Sequence, residues 1–185
     1  RPRSERRQRE REAANAGRGL RTRSDAEWDP GADGAGLERH LKNVMTSKEE
    51  RETRQKYAGY GLLHGDSPRH KALLMVGPTA SGKRTTRTVL RKLMGSVSKL
   101  SPQQLVNGRF GPAELEGAWA NIRSDISSAV LQDIGLFKEV VAGDPIFVER
   151  KYEQGYNIRP TAKHLYSANQ LPEASIDDDA FYRRI

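Results

Sequence analysis

Between residues 37 and 63 the apolar positions Leu37, Leu41, Val44, Met45, Tyr57, Tyr60, Leu62 and Leu63 fall roughly at helical spacing, which predicts a helical lead-in. Thr46 or Ser47 followed by Glu49 and Glu50 forms a helix-start pattern, so the segment reads as two helices. The pattern then changes. Ala72-Leu73-Leu74-Met75-Val76 is a short continuous apolar run ending at Gly77, which predicts a buried strand of a parallel sheet. After a glycine-containing loop, residues 85–94 predict a helix with Val89, Leu90 and Leu93 on one side. Downstream the pattern predicts a second core strand over 118–126 and a helix over 128–141. A hairpin over 145–158, turning near Glu153-Gln154-Gly155, and a further strand over 162–167 complete an α/β order.

The chain before Leu37 is different. Residues 1–23 hold nine Arg against three Glu, and 24–36 are rich in Asp, Gly and Pro, so little fixed structure is expected there. Three regions follow: a basic tail and linker over 1–36, a helical lead-in over 37–70, and an α/β core over 71–185. The tail carries six of the eight net positive charges, so the basic character of the 185-residue chain is chiefly a property of its first 23 residues. Such a tail attracts phosphate without specificity, and a solvated arginine-rich tail is the simpler reading. The absence of an initiating Met and the stop after an aromatic and basic cluster lead us to expect a fragment, with the core truncated at its C-terminus.

With no cysteine, disulfides, thiolate nucleophiles and cysteine-held zinc are excluded. His40, His64, His70 and His164 lack metal-ligand spacing and read as surface or packing residues. No apolar run approaches the ~20 residues of a membrane span, and the basic N-terminus lacks the apolar stretch of a secretory signal. A cytoplasmic setting without membrane contact is therefore expected.

The chemistry is carried by residues 77–85. Gly77, Pro78, Thr79, Ala80, Ser81, Gly82, Lys83, Arg84 and Thr85 nearly fit G-x-x-x-x-G-K-[ST], between an expected strand and an expected helix. The glycines allow successive N–H groups to face phosphates, the helix N-terminus adds partial positive charge, and Lys83 reaches the β- and γ-phosphates. A glycine-rich turn without function is the competing reading; the placement favours nucleotide binding. One position departs from the motif. Arg84 stands where a Ser or Thr hydroxyl should meet Mg²⁺, and Thr85 is displaced by about 100° around a helix. Nucleotide binding is thus better supported than hydrolysis.

Gly77 to Lys83 is similar to the loop of tRNA dimethylallyltransferases, but the Asp-Ser-x-Gln-Val-Tyr segment of that family is absent. From about Trp28 onward the chain resembles the superfamily III helicases of the phage, plasmid and poxvirus primase–helicase type. The resemblance rests on Trp28-Asp29-Pro30, the segment 57–63, the strand ending at Gly77, and Ala120-Asn-Ile-Arg-Ser-Asp125. It continues through the segment 137–146, Glu149-Arg-Lys-Tyr152, Ser167-Ala-Asn-Gln-Leu-Pro172 and Asp179-Ala-Phe-Tyr-Arg-Arg184. The family usually has Asn where Ser81 stands and Ser or Thr where Arg84 stands.

The resemblance implies a P-loop NTPase of AAA+-like architecture, with a parallel-sheet core, a helical N-terminal lead-in and a projecting β-hairpin. It implies ATP and Mg²⁺ as cofactors, with Lys83, Asp125, Asn169 and Arg183 in catalysis and Thr85 and Asp125 as metal positions. Asp125 would organise Mg²⁺ and water, Asn169 would sense the γ-phosphate, and Arg183 would act as an arginine finger toward a neighbouring subunit. That arrangement implies a homo-oligomer, a hexamer, with a primase domain in the full-length protein. Arg150, Lys151 and Tyr152 near the hairpin tip would grip single-stranded or forked DNA. From the residues alone, a solvated basic hairpin reads equally well. The expected function is an ATP-dependent DNA helicase or translocase core of a replication protein. The alternatives are a nucleotide- or DNA-binding remnant without turnover and a P-loop transferase acting on tRNA.

Overall fold

Ser47 accepts a hydrogen bond from the Glu50 amide and so divides the lead-in into two helices, α1 (Ala35–Val44) and α2 (Lys48–Leu62). The computed structural model describes residues 24, 26–45, 47–63, 65, 68–127, 134–170 and 182–185. The expected arginine-rich tail, 1–23, therefore lies outside the described residues. The first helix starts at Ala35, two residues before the expected boundary.

The core then runs in the expected alternation. Strand β1 (Leu73–Val76) leads through the glycine loop into α3 (Lys83–Met94). Strand β3 (Ala120–Arg123) precedes α5 (Ile134–Ala142); the hairpin strands β4 (Ile146–Val148) and β5 (Tyr156–Ile158) follow, then β6 (Lys163–Ala168). The first part of the helix expected over 128–141 lies outside the described residues. Strand β3 is shorter than the expected 118–126. Before it, Ala118 donates to the Leu115 carbonyl in a turn, and after it Asp125 adopts φ 52°, which no strand residue can hold.

The pattern of apolar positions missed everything between 95 and 117. This stretch holds β2 (Val97–Ser98), α4 (Pro102–Asn107) and a 3₁₀ turn, Gly111–Leu115. Helix α4 has only six residues, too few to show a helical period, yet Ser101 and Gln104 form a complete capping box with Pro102 at the first turn.

Four strands make a parallel sheet in the order β1-β6-β3-β2, and β4 pairs with β5 antiparallel as a separate two-stranded sheet. Side-chain alternation sorts the core into two faces. Leu73 and Met75 of β1, Ala120 and Ile122 of β3 and Leu165 of β6 pack with Tyr57 of α2 and with Leu90 and Met94 of α3. On the other face Leu74, Tyr166 and Ala168 pack with Phe137 and Val141 of α5. The hairpin joins a third cluster with α4 and the 3₁₀ turn, through Ile146, Val148, Ile158, Leu105 and Leu115. The molecule is thus an α/β core with helices on both faces of a parallel sheet. All six residues of β6 are buried, as its central position requires.

Candidate functional site

In open parallel sheets, ligands bind outside the carboxyl ends of the strands, where loops from neighbouring strands meet. Here those ends bring together the loop after β1, Asp125 after β3 and Asn169 after β6. The Gly77 amide donates to the Ala168 carbonyl at 3.3 Å, and the Ile126 amide donates to the Ser167 carbonyl at 3.1 Å. The three strand ends are therefore tied to one another through β6.

Two residues shape the loop. Gly82 has φ 80° at the start of α3, and a Cβ there would lie 2.4 Å from Val44 Cγ1. Glycine is required twice over, by the left-handed backbone and by the close approach of α1. Ala80, at φ 64°, holds a backbone conformation that costs a non-glycine residue energy, as does Asp125.

Lys83 is buried. Its ammonium donates to the Gly77 carbonyl at 2.5 Å, to the Pro78 carbonyl at 2.7 Å and to Ser81 Oγ at 3.2 Å. The side chain is thereby held across the loop at the edge of a cleft lined by Thr79, Ala80, Ser81, Gly82, Lys83, Arg84, Arg87, Asp125, Ser167 and Asn169. Gly77 and Pro78 do not line this cleft; their carbonyls anchor the lysine.

The cleft holds three cationic side chains, Lys83, Arg84 and Arg87, against one carboxylate, Asp125. The N-terminal end of α3 adds its partial positive charge on the same side. Such an arrangement suits a polyanion whose charge exceeds that of a single carboxylate. Arg87 is not singled out by the sequence alone. It lies four residues after Lys83, so both face the same side of α3, and its guanidinium reaches Ser167 Oγ at 3.4 Å. The i, i+4 spacing was available, but on a helix carrying four Arg and Lys residues after Lys83 it does not mark out one of them.

Among the residues expected to act together, Lys83, Asp125 and Asn169 meet in this cleft. Thr85 does not; it is exposed and outside the lining. The next hydroxyl, Thr86 Oγ1, donates to the Gly82 carbonyl at 3.3 Å and sits 3.5 Å from His40 Nε2, so it faces the helix and α1. Among the described residues no group of three or more His, Cys, Asp or Glu stands close enough to hold a metal ion. The donors that do face the cleft lack the hydroxyl that the loop motif pairs with a carboxylate to hold Mg²⁺, because Arg84 takes that place. The residues present do not fit a metal held in that manner.

Arg183 is exposed at the other end of β1, where the Ala72 amide donates to the Arg184 carbonyl at 2.6 Å. Within the chain it is therefore remote from the cleft. Part of its motif, 179–181, lies outside the described residues.

The hairpin tip carries Arg150, Lys151 and Tyr152. Tyr152 is 92% exposed and Lys151 Nζ lies 4.9 Å from its ring centroid. Arg150 differs: it pairs with Glu116 at 2.8 Å, and Tyr156 donates to the same carboxylate at 2.6 Å. Arg109 pairs with Glu149 at 2.6 Å. These contacts tie Glu149, Arg150 and Tyr156 to residues that flank the 3₁₀ turn and leave Lys151 and Tyr152 projecting.

Among the described residues no helix is long and apolar enough to cross a membrane. No curated protein matches the chain. Among solved structures, an A-form apo structure of the NrS-1 C-terminal region (305–718) is similar at 14% identity and TM-score 0.59, covering 86% of this chain and 37% of that one. A second A-form structure of the region is 13% identical with TM-score 0.58, covering 86% and 38%. Another apo structure of 305–718 is 12% identical with TM-score 0.53, covering 86% and 39%. The chain thus spans less than two-fifths of the length of these structures and shares their fold. A model of a family of unknown function, DUF5906, matches residues 75–184, from the middle of β1 through Arg184. Since that match takes in well over half of the chain and every cleft residue, the chain belongs to the DUF5906 family.

Proposed function

We propose that this chain is the nucleotide-binding core of an ATP-dependent DNA helicase or translocase of a replication protein. The observation that carries the proposal is the convergence of the Lys83 loop, Asp125 and Asn169 on one cationic cleft at the carboxyl ends of β1, β3 and β6. The sequence resemblance to superfamily III helicases supplies the reaction, and the fold shared with the NrS-1 C-terminal region supports the same reading.

On this proposal the triphosphate lies along the N–H groups of residues 79–83, and Lys83 moves from the loop carbonyls to the β- and γ-phosphates. Asp125 orients a water molecule for attack on the γ-phosphorus, and Asn169 donates to a γ-phosphate oxygen. The P–O bond to the β-phosphate breaks, giving ADP and inorganic phosphate. No step of this scheme runs through a metal ion. Arg183 stabilises the transferring group of a neighbour in a ring, a role for which its distance from its own cleft leaves it available. Lys151 and Tyr152 hold the DNA strand, the lysine at phosphate and the tyrosine against a base.

A second reading, a nucleotide-binding domain without turnover, is favoured by Arg84 at the motif's hydroxyl position. Phosphate release from ATP with and without single-stranded DNA separates the two. The helicase reading expects DNA-stimulated release by the parent chain and a loss of about tenfold or more in Asp125→Asn with ATP affinity retained. Binding of ATP with no release under either condition establishes the second reading.

A further inference from the structure

We propose that Arg84 and Arg87 form a guanidinium clamp that takes the place of the divalent cation in this cleft, so that the site binds a nucleoside triphosphate without Mg²⁺. The inference rests on the nucleotide-binding reading and adds to it the ionic form of the ligand, the metal-free triphosphate.

Three observations carry it. First, the position from which the motif would offer a hydroxyl to the metal is occupied by Arg84, which lines the cleft, whereas Thr85 does not. Second, the nearest buried hydroxyl, Thr86, is turned to the Gly82 carbonyl and toward His40. Third, Arg87 lies in the same cleft one helical turn beyond Lys83, its guanidinium positioned by Ser167 Oγ at 3.4 Å. Ser167 is buried on the central strand, so this contact places the guanidinium beside the end of β6.

The electrostatics agree. A divalent ion ordinarily cancels part of the triphosphate charge and bridges its β- and γ-oxygens. Two guanidiniums carry the same formal charge as one divalent ion, and their planar N–H groups match phosphate oxygens in pairs. A divalent cation would instead enter a cleft where three fixed cations oppose a single carboxylate. Competition at close range favours the fixed charges, which need no recruitment from solution.

The test is equilibrium binding of a non-hydrolysable ATP analogue to the full chain, once with Mg²⁺ and once in EDTA. The clamp predicts that affinity in the two buffers agrees within about threefold. Arg84→Ser and Arg87→Gln should each weaken binding in EDTA by about tenfold. Arg84→Ser, which restores the hydroxyl, should regain affinity when Mg²⁺ is added. Arg87→Lys keeps the charge without the fork and should fall between parent and Arg87→Gln. Circular dichroism checks folding, and because Arg84 is exposed its variant carries the test even where an Arg87 variant unfolds. Parent affinity that drops more than tenfold in EDTA overturns the clamp while leaving nucleotide binding intact. Variants that bind in EDTA as tightly as the parent overturn it as well. Absence of binding in both buffers removes the nucleotide-binding reading and the clamp with it.

Discussion

The two ends of strand β6 use polar residues in opposite ways. Toward its N-terminal end, His164 and Tyr166 join Asn121 in a buried network. The Asn121 side-chain oxygen accepts from the Leu100 amide at 2.8 Å and from Ser98 Oγ at 3.0 Å. Its Nδ2 donates to the Leu100 carbonyl at 3.0 Å and lies 3.3 Å from His164 Nδ1 and 3.2 Å from the Tyr166 hydroxyl. At the C-terminal end, Asn169 is exposed and faces a cleft with Lys83, Arg84, Arg87 and Asp125. Polar groups that satisfy one another specify structure; polar groups that converge on open space are arranged for something else. One strand therefore separates a structural network from a candidate site by the length of a few residues.

The comparison breaks most forcefully at Asn121. Asn121→Ala takes the side-chain partner from the buried Leu100 amide and carbonyl and one of two partners from the Ser98 hydroxyl, and stability should fall by about 3 kcal/mol or more. Urea denaturation measures it. A loss below about 1 kcal/mol would show that the network does not hold β2, β3 and β6 in register.

Lys83 is the opposite case. Although buried, its bonds go to loop carbonyls beside the open cleft, so Lys83→Ala should change folding stability by less than about 1 kcal/mol. ATP affinity should fall by about a hundredfold, or about 2.7 kcal/mol, in a binding titration. If stability drops and affinity does not, Lys83 belongs with the structural group and the cleft has lost its central cation.

Much of this arrangement was legible in the sequence because its signals are local. The apolar run before Gly77, the glycine spacing around Lys83 and the cap at Ser47 each act within a few residues. Asn121 and His164 gave no such signal. The partners of Asn121 lie 21 to 45 residues away, and the parallel pairings of β3 with β2 and with β6 bring them together. The clustering of Arg87 with Asn169 was hidden for the same reason, since it depends on where α3 crosses the end of the sheet. The segment 95–117 escaped because its elements are too short to show a period, although the Ser101–Gln104 capping box was readable.

His164 sharpens the structural side through pH. Burial, with the Lys163 charge beside it, pushes its pKa down to about 4. The folded state therefore holds the imidazole neutral, while the unfolded chain takes up a proton near pH 6.5. Stability from this group is fully present above that value and is lost as pH falls through the window down to about 4. Between pH 7 and pH 5 the loss should be about 2 kcal/mol. Urea denaturation of the parent and of His164→Gln at both pH values isolates it, because the variant should lose that part of the slope. Equal slopes in the two proteins would mean that His164 is not the group that titrates.

The smallest expected effect lies at the hairpin, where polar groups are paired yet exposed and so fall between the two cases at β6. Glu116 binds both Arg150 and the Tyr156 hydroxyl, and the Arg150–Glu116 pair is partly open to solvent on both sides. Exposed pairs of this kind contribute about 0 to 1 kcal/mol, so Glu116→Gln should leave stability almost unchanged. What it changes is the availability of Arg150. If the hairpin grips DNA, releasing a third group beside Lys151 and Tyr152 should raise affinity for single-stranded DNA by about two- to threefold at low salt, and the gain should vanish as salt increases. Fluorescence anisotropy with a labelled oligonucleotide resolves a change of that size. If Lys151→Ala and Tyr152→Ala bind DNA as the parent does while Glu116→Gln has no effect, the hairpin is a solvated surface turn and DNA must be held elsewhere. If only Lys151 and Tyr152 matter, Arg150 fastens the hairpin to Glu116, a structural residue in an otherwise functional loop.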